Sequence, residues 1–228
     1  MQRVATTFHC ILSLLAGAVL LANAHASLAD GPGAYRPRER TPSASVKPSD
    51  ELSAIDVYNT GYALIQRAEH YENLASASNS EAERSAALRD ARAAYEESLA
   101  KFSTAVKFDP SMHEAYTYLG YANRKLGRHK AALAAYEQAL RINPDYPHAI
   151  EYQGQAFLGL NRVEEAKFNY LRLYALNQAQ AHKLLRAIRA WADAHSAQPP
   201  NGIDIGALME WIADRERSHK SDEQLSSW

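Results

Sequence analysis

Residues 113–146 are echoed by residues 147–180, where a constant offset of 34 aligns nine identities. Ala115 meets Ala149, Tyr118 meets Tyr152, Gly120 meets Gly154 and Ala122 meets Ala156; Leu126, Arg128, Ala132, Tyr136 and Asn143 then meet Leu160, Arg162, Ala166, Tyr170 and Asn177. A period of this length means stacked copies of one supersecondary unit, each too small to bury its apolar face alone. Each block breaks once, at Leu126-Gly127-Arg128 and at Leu160-Asn161-Arg162. Glycine and asparagine tolerate the left-handed backbone that ends a helix, so each block is predicted to be helix, turn, helix. Asn143-Pro144 closes the second helix, and Asp109-Pro110 does so one repeat earlier, because proline lacks the ladder donor and restricts the residue before it.

Small residues sit where two helices of a hairpin would cross. Glycine inside a helix costs ~1 kcal/mol against alanine, so close packing must return more than that. Gly120 and Ala132 are expected to make room for each other.

The stretch "AYTYLGYANRKLGRHKAALAAYEQALRINP" resembles a tetratricopeptide repeat. Tyr116, Leu119, Gly120, Ala132, Tyr136, Ala139 and Pro144 supply the aromatic, the leucine-glycine pair, the crossing alanine, the second aromatic, the second alanine and the closing proline. The second block departs at Ile150, Gln153, Leu173 and Gln178 but keeps Gly154, Ala166 and Tyr170. The resemblance implies an all-α fold, a right-handed superhelical stack of antiparallel hairpins, with repeats at 113–146 and 147–180.

Upstream, Phe102, Ala105 and Asp109-Pro110 stand in the places of Tyr136, Ala139 and Asn143-Pro144. Val57, Gly61 and Leu64 fit a first helix only across an insertion that is itself helical, with Ser80-x-x-Glu83 as a capping box. Residues 51–112 therefore read as a divergent long hairpin with arms near Glu51–Ala77 and Glu81–Phe108, the second about 40 Å long and overhanging the stack. Downstream, residues 181–217 read as capping helices. Leu184, Leu185, Ile188 and Trp191 share one face, Pro199-Pro200 breaks it, and Asp204 caps a last short helix bearing Ile205, Leu208, Trp211 and Ile212. Trp191 and Trp211 are expected to pack there, and 218–228 to be a flexible tail.

The chain opens with Arg3, an apolar run from Ile11 to Ala22 and alanines spaced A-x-A at 22, 24 and 26. This is the pattern of a secretory signal peptide over 1–26, and the run is shorter than the ~20 residues of a membrane span. Retention as an anchor is the alternative. Cleavage would remove Cys10, the only cysteine, which suits an oxidising compartment such as a bacterial periplasm. Residues 27–50 hold four prolines and two glycines without an apolar period and read as a disordered linker. Beyond the signal remain 24 basic and 26 acidic side chains, no match for nucleic acid.

Catalytic patterns are missing from the sequence. His113-Glu114 begins like a zinc-protease helix, yet Thr117 stands where the second histidine would be. Glu96/Glu97 and Glu164/Glu165 are adjacent and point about 100° apart around a helix, which does not make an acid/base dyad. No metal, cofactor or catalytic residue is expected.

In stacks of this family the first helix of each pair lines the concave surface. The resemblance then implies a partner-binding groove of Tyr58, Asn59, Tyr62, Glu114, Thr117, Tyr118, Tyr121, Arg124, Glu151, Tyr152 and Gln155. Tyrosine offers large contact area with a polar tip, suited to an extended peptide, although Tyr118 and Tyr152 also suit the interior. The expectation is a non-enzymatic exported adaptor binding a segment of a partner protein. One alternative is a structural homo-oligomer assembled through the long hairpin; a remote one is a hydrolase using concave-face His and Glu, with His148 as its histidine.

Overall fold

The computed structural model describes the backbone of residues 53–225 and the side chains of residues 53–218. The expected signal peptide at 1–26 and linker at 27–50 lie outside the described residues, as do Glu51 and Leu52 of the first arm. Eight α-helices and no strand are found among the described residues: α1 (Ala54–Ala77), α2 (Glu81–Phe108), α3 (His113–Lys125), α4 (His129–Ile142), α5 (Pro147–Leu158), α6 (Val163–Leu176), α7 (Gln178–Ala194) and α8 (Ile205–Leu225). Each helix packs on the next, and α1, α3, α5 and α7 also touch in series. The result is an α-solenoid of stacked hairpins.

Local chemistry sets the helix ends. Ser53 and Asp56 form a complete capping box on α1. At α2 the box is half made: Ser80 Oγ accepts from the Glu83 amide at 3.4 Å, while the Glu83 carboxylate takes the Ser78 hydroxyl at 2.8 Å instead of reaching back. Gly127 (φ 76°) and Asn161 (φ 59°) take the left-handed conformation that reverses the chain inside each repeat. Asn143 stops α4 before Pro144. At the matching place Gln178 replaces proline, and Asn177 ends α6 and caps α7 at once, its Oδ1 accepting from the Gln180 amide at 3.1 Å.

The repeat positions pack as a set. Ala132, Tyr136, Ala139, Ala166 and Tyr170 are almost wholly buried, as are Phe102 and Ala105 in the same slots of α2. Gly120 and Gly154 are buried, Tyr116 and Leu119 half-buried, and Pro144 exposed.

The packing corrects the expected partner of Gly120. A methyl built there would have the Tyr136 ring as its nearest neighbour, with Cε1 at 2.5 Å, and Gly61 meets Phe102 at 2.9 Å in the same way. The room is made for an aromatic ring one turn beyond Ala132. Gly154 instead faces Leu184 Cδ2 of α7 at 2.6 Å, so in the second block the glycine serves the joint to the next hairpin.

The end of the stack also departs from expectation. α8 has 21 residues and runs through Leu225, past the boundary at Ser218. Neither proline nor glycine lies between Leu208 and Leu225 to stop it. Asp204 caps it, accepting from the Ala207 amide at 3.0 Å. Trp211 meets the Tyr170 ring at 5.2 Å and Trp191 stacks on His195 at 4.2 Å, so both tryptophans pack within the terminal cluster.

Candidate functional site

The first helices of successive hairpins lie side by side, and the residues expected on their shared face divide in two. Thr117 (0%), Tyr58 (1%), Tyr118 (2%), Glu151 (3%), Tyr152 (3%), Tyr121 (6%) and Glu114 (7%) are buried. Only Asn59, Tyr62, Arg124 and Gln155 remain half-exposed. The expectation of an open tyrosine wall is therefore corrected: most of those rings fill the joints between helices. Tyr62 meets Tyr118 edge-on at 5.2 Å, Tyr58 meets Tyr118 at 6.0 Å, and Tyr121 meets Tyr152 at 5.0 Å. Helix axes 8–10 Å apart leave space for one ring thickness between them, so tyrosines at matching registers interlock instead of standing free.

A polar seam crosses these joints. Tyr121 Oη donates to Glu69 Oε1 of α1 at 2.6 Å, and Lys125 Nζ pairs with Glu72 at 2.5 Å. Arg124, next on α3, lies over the rings of Tyr121 at 5.0 Å and Tyr152 at 5.7 Å, an attraction that grows when the cation is desolvated. Its Nε is buried without a hydrogen-bond partner, and it makes no salt bridge among the described residues. Glu151 accepts from Gln155 Nε2 on its own helix and feels the charges of Arg124, Lys183 and Arg186.

Electrostatics follow from this burial. Glu151 is pushed up to about 7 by burial, which outweighs the opposing pull of Arg124, the Gln155 hydrogen bond, Lys183 and Arg186. Burial likewise raises Glu69, against the Tyr121 hydrogen bond and Lys125. Tyr121 and Tyr152 are held well above the ordinary tyrosine range, first by burial and then by Glu69 and Glu151 respectively. His148 is lowered by burial and then by Lys183, and Gln180 Nε2 donates to its Nδ1 at 3.3 Å. The seam lines up hydrogen-bonding and charged groups along the joints of α1, α3, α5 and α7.

Glu69, Glu72, Lys183 and Arg186 belong to this face and carry no sequence signal. Glu69 and Glu72 sit in the α1 extension, outside the repeat pattern, and Lys183 and Arg186 on a helix legible only as a cap. Among the described residues no group of three or more His, Cys, Asp and Glu is placed to hold a metal, and no helix is long and apolar enough to cross a membrane.

Stacked hairpins with a buried aromatic and a crossing alanine repeated in register define a helical-repeat protein. Residues 80–147 match the family described as tetratricopeptide repeat. The match spans α2 to the start of α5; α1, α6 and the cap lie beyond it. No curated protein matches the sequence. Among solved structures, the first tetratricopeptide repeat of Spaghetti (RPAP3) bound to an HSP90 peptide is similar at 20% identity, with a TM-score of 0.42, over 59% of this chain and 95% of that one. MamA is similar at 17% identity, with a TM-score of 0.43, over 73% of this chain and 96% of that one.

Proposed function

We infer that this protein is a non-enzymatic adaptor, exported to the periplasm, that holds a segment of a partner protein against the α1–α3–α5–α7 face. The repeat fold itself suggests a protein–protein interaction scaffold. The observation that carries the finer reading is Arg124, a half-exposed cation at the joint, stacked over the rings of Tyr121 and Tyr152 and drawn to Tyr136 and Glu151 beneath. An arginine steadied in this way can turn the exposed part of its fork to an acceptor brought by a partner. Tyr62, Asn59 and Gln155 remain half-exposed on the same face.

Photo-crosslinkers placed at Tyr62 and Gln155 in intact cells test this, followed by identification of what is attached. A specific adduct, lost when Arg124 is changed to Ala in a chain that still folds, is the expected result. Retained crosslinking with Arg124→Ala moves the site elsewhere. Export is tested separately by fractionation and by the intact mass of the purified chain, which a cleaved leader lowers.

A second reading, a homo-oligomer through the long hairpin, is favoured by Leu74 (48% exposed) and Leu88 (50% exposed) in the half of that hairpin nearest its tip. Solution mass by light scattering separates the two readings. A monomer excludes the oligomer.

A further inference from the structure

The joints between successive hairpins offer an internal comparison on the other side of the stack. At the first joint Arg128, in the α3–α4 turn, grips Glu96 of α2 with two hydrogen bonds, Nη2 to Oε1 at 2.6 Å and Nη1 to Oε2 at 3.0 Å. Advancing 34 residues gives the second joint. Leu99, Ala100, Leu126 and Arg128 become Leu133, Ala134, Leu160 and Arg162, unchanged in type. Glu96, however, becomes Lys130, and Ser103 becomes Glu137.

One exchange of charge removes the pair. Arg162 cannot pair with Lys130, and its Nε turns to Glu165 on its own helix at 2.8 Å. Lys130 makes no salt bridge among the described residues. A cavity of about 480 Å³ opens at this joint, lined by Lys130, Leu133, Ala134, Glu137, Leu160 and Arg162. Lys130 and Arg162 line it beside the apolar Leu133, Ala134 and Leu160. Glu137 is seven residues from Lys130 along α4, about 10 Å at 1.5 Å per residue.

We propose that this second joint is a docking groove for an amphipathic helix of a partner protein, whose carboxylate takes the place that Glu96 holds in the first joint. The α4 side contributes residues at i, i+3, i+4 and i+7, the stripe against which a helix ridge lies. Charge complementarity specifies the occupant: an acidic side chain against Lys130 and Arg162, an apolar one over Leu133 and Leu160, and a basic one about two turns away against Glu137. This groove is lined by α4 and the α5–α6 turn, so it stands or falls independently of the Arg124 face.

The test uses the full chain, labelled with ¹⁵N, and an amidated helical 15-residue peptide carrying Glu and Lys two turns apart with Leu between. Binding is expected to shift the amides of Ala134, Leu160 and Arg162. The same peptide with Gln for Glu should bind at least about tenfold more weakly, as loss of a charge-paired contact of about 1.4 kcal/mol implies. Lys130→Glu should rebuild the Glu96–Arg128 pairing within the chain, close the groove and abolish peptide binding without lowering the melting temperature. Should that variant unfold, Lys130→Gln serves in its place, with at least about a threefold loss expected. Equal affinity for the Glu and Gln peptides, unchanged binding by the Lys130 variant, or shifts confined to α3, α5 and α7 would overturn the proposal. So would a dimer in solution that Lys130→Glu dissociates, which would make the occupant a second copy of this chain.

Discussion

Replacing Glu151 by Gln tests the electrostatics of the repeat joint most directly. Glu151 is 3% exposed on α5, between α3 and α7. Burial lifts its carboxyl from the ordinary 4.5 to about 7 despite Arg124, Lys183 and Arg186. The folded protein therefore holds a proton that the unfolded chain has released between those two values. Because the folded state binds more protons in that window, stability falls as pH rises through it and levels off above pH 7. At ~1.4 kcal/mol for each pH unit, the loss attributable to Glu151 is at most about 3.5 kcal/mol. Glutamine keeps the shape and neutrality of the protonated acid. Urea unfolding at pH 5 and pH 8 should find wild type and Glu151→Gln alike at pH 5, with the variant more stable by about 1–3 kcal/mol at pH 8. If wild type is the more stable at pH 8, the carboxylate is ionised and gainfully paired with Arg124, and the reasoning is refuted.

Three further outcomes follow from the packing. Gly120→Ala drives a methyl into the buried Tyr136 ring and should lower stability by about 1–2 kcal/mol after the gain in helix propensity; Gly154→Ala, which meets the flexible end of Leu184, should cost less in the same denaturation series. Asn161→Ala and Gly127→Ala should each cost about 1 kcal/mol, since both turns hold a left-handed residue, and an unchanged midpoint for either would contradict that geometry. Tyr121→Phe removes the donor to Glu69 and should cost about 1–3 kcal/mol, with the loss read by chemical denaturation at pH 8, where the unpartnered carboxylate is most costly.

Much of the fold was legible because it is written in short-range terms. The left-handed Gly127 and Asn161, the stops at Asp109 and Asn143, and the buried aromatics Phe102, Tyr136 and Tyr170 depend on local chemistry and recur at a fixed interval. The candidate site was only partly legible. Tyr58, Tyr118, Tyr121 and Tyr152 fall on the helix face that the repeat assigns to a groove, but periodicity gives a direction around a helix and not the distance to the next one. With α1, α3, α5 and α7 packed side by side, rings pointing that way become interior.

What the sequence determined alone is the unit, a helix, a left-handed turn and a helix, and its succession, since hydrogen-bond ladders, caps and a 34-residue period act locally. What only the tertiary structure decided is the surface: that Glu69 of the α1 extension reaches Tyr121, that Arg124 lies over rings from two helices, and that Lys130 lines a groove at the joint whose counterpart holds the Glu96–Arg128 pair. Those outcomes depend on charge and bulk meeting across helices, and such meetings are set by packing distance, which no single segment contains.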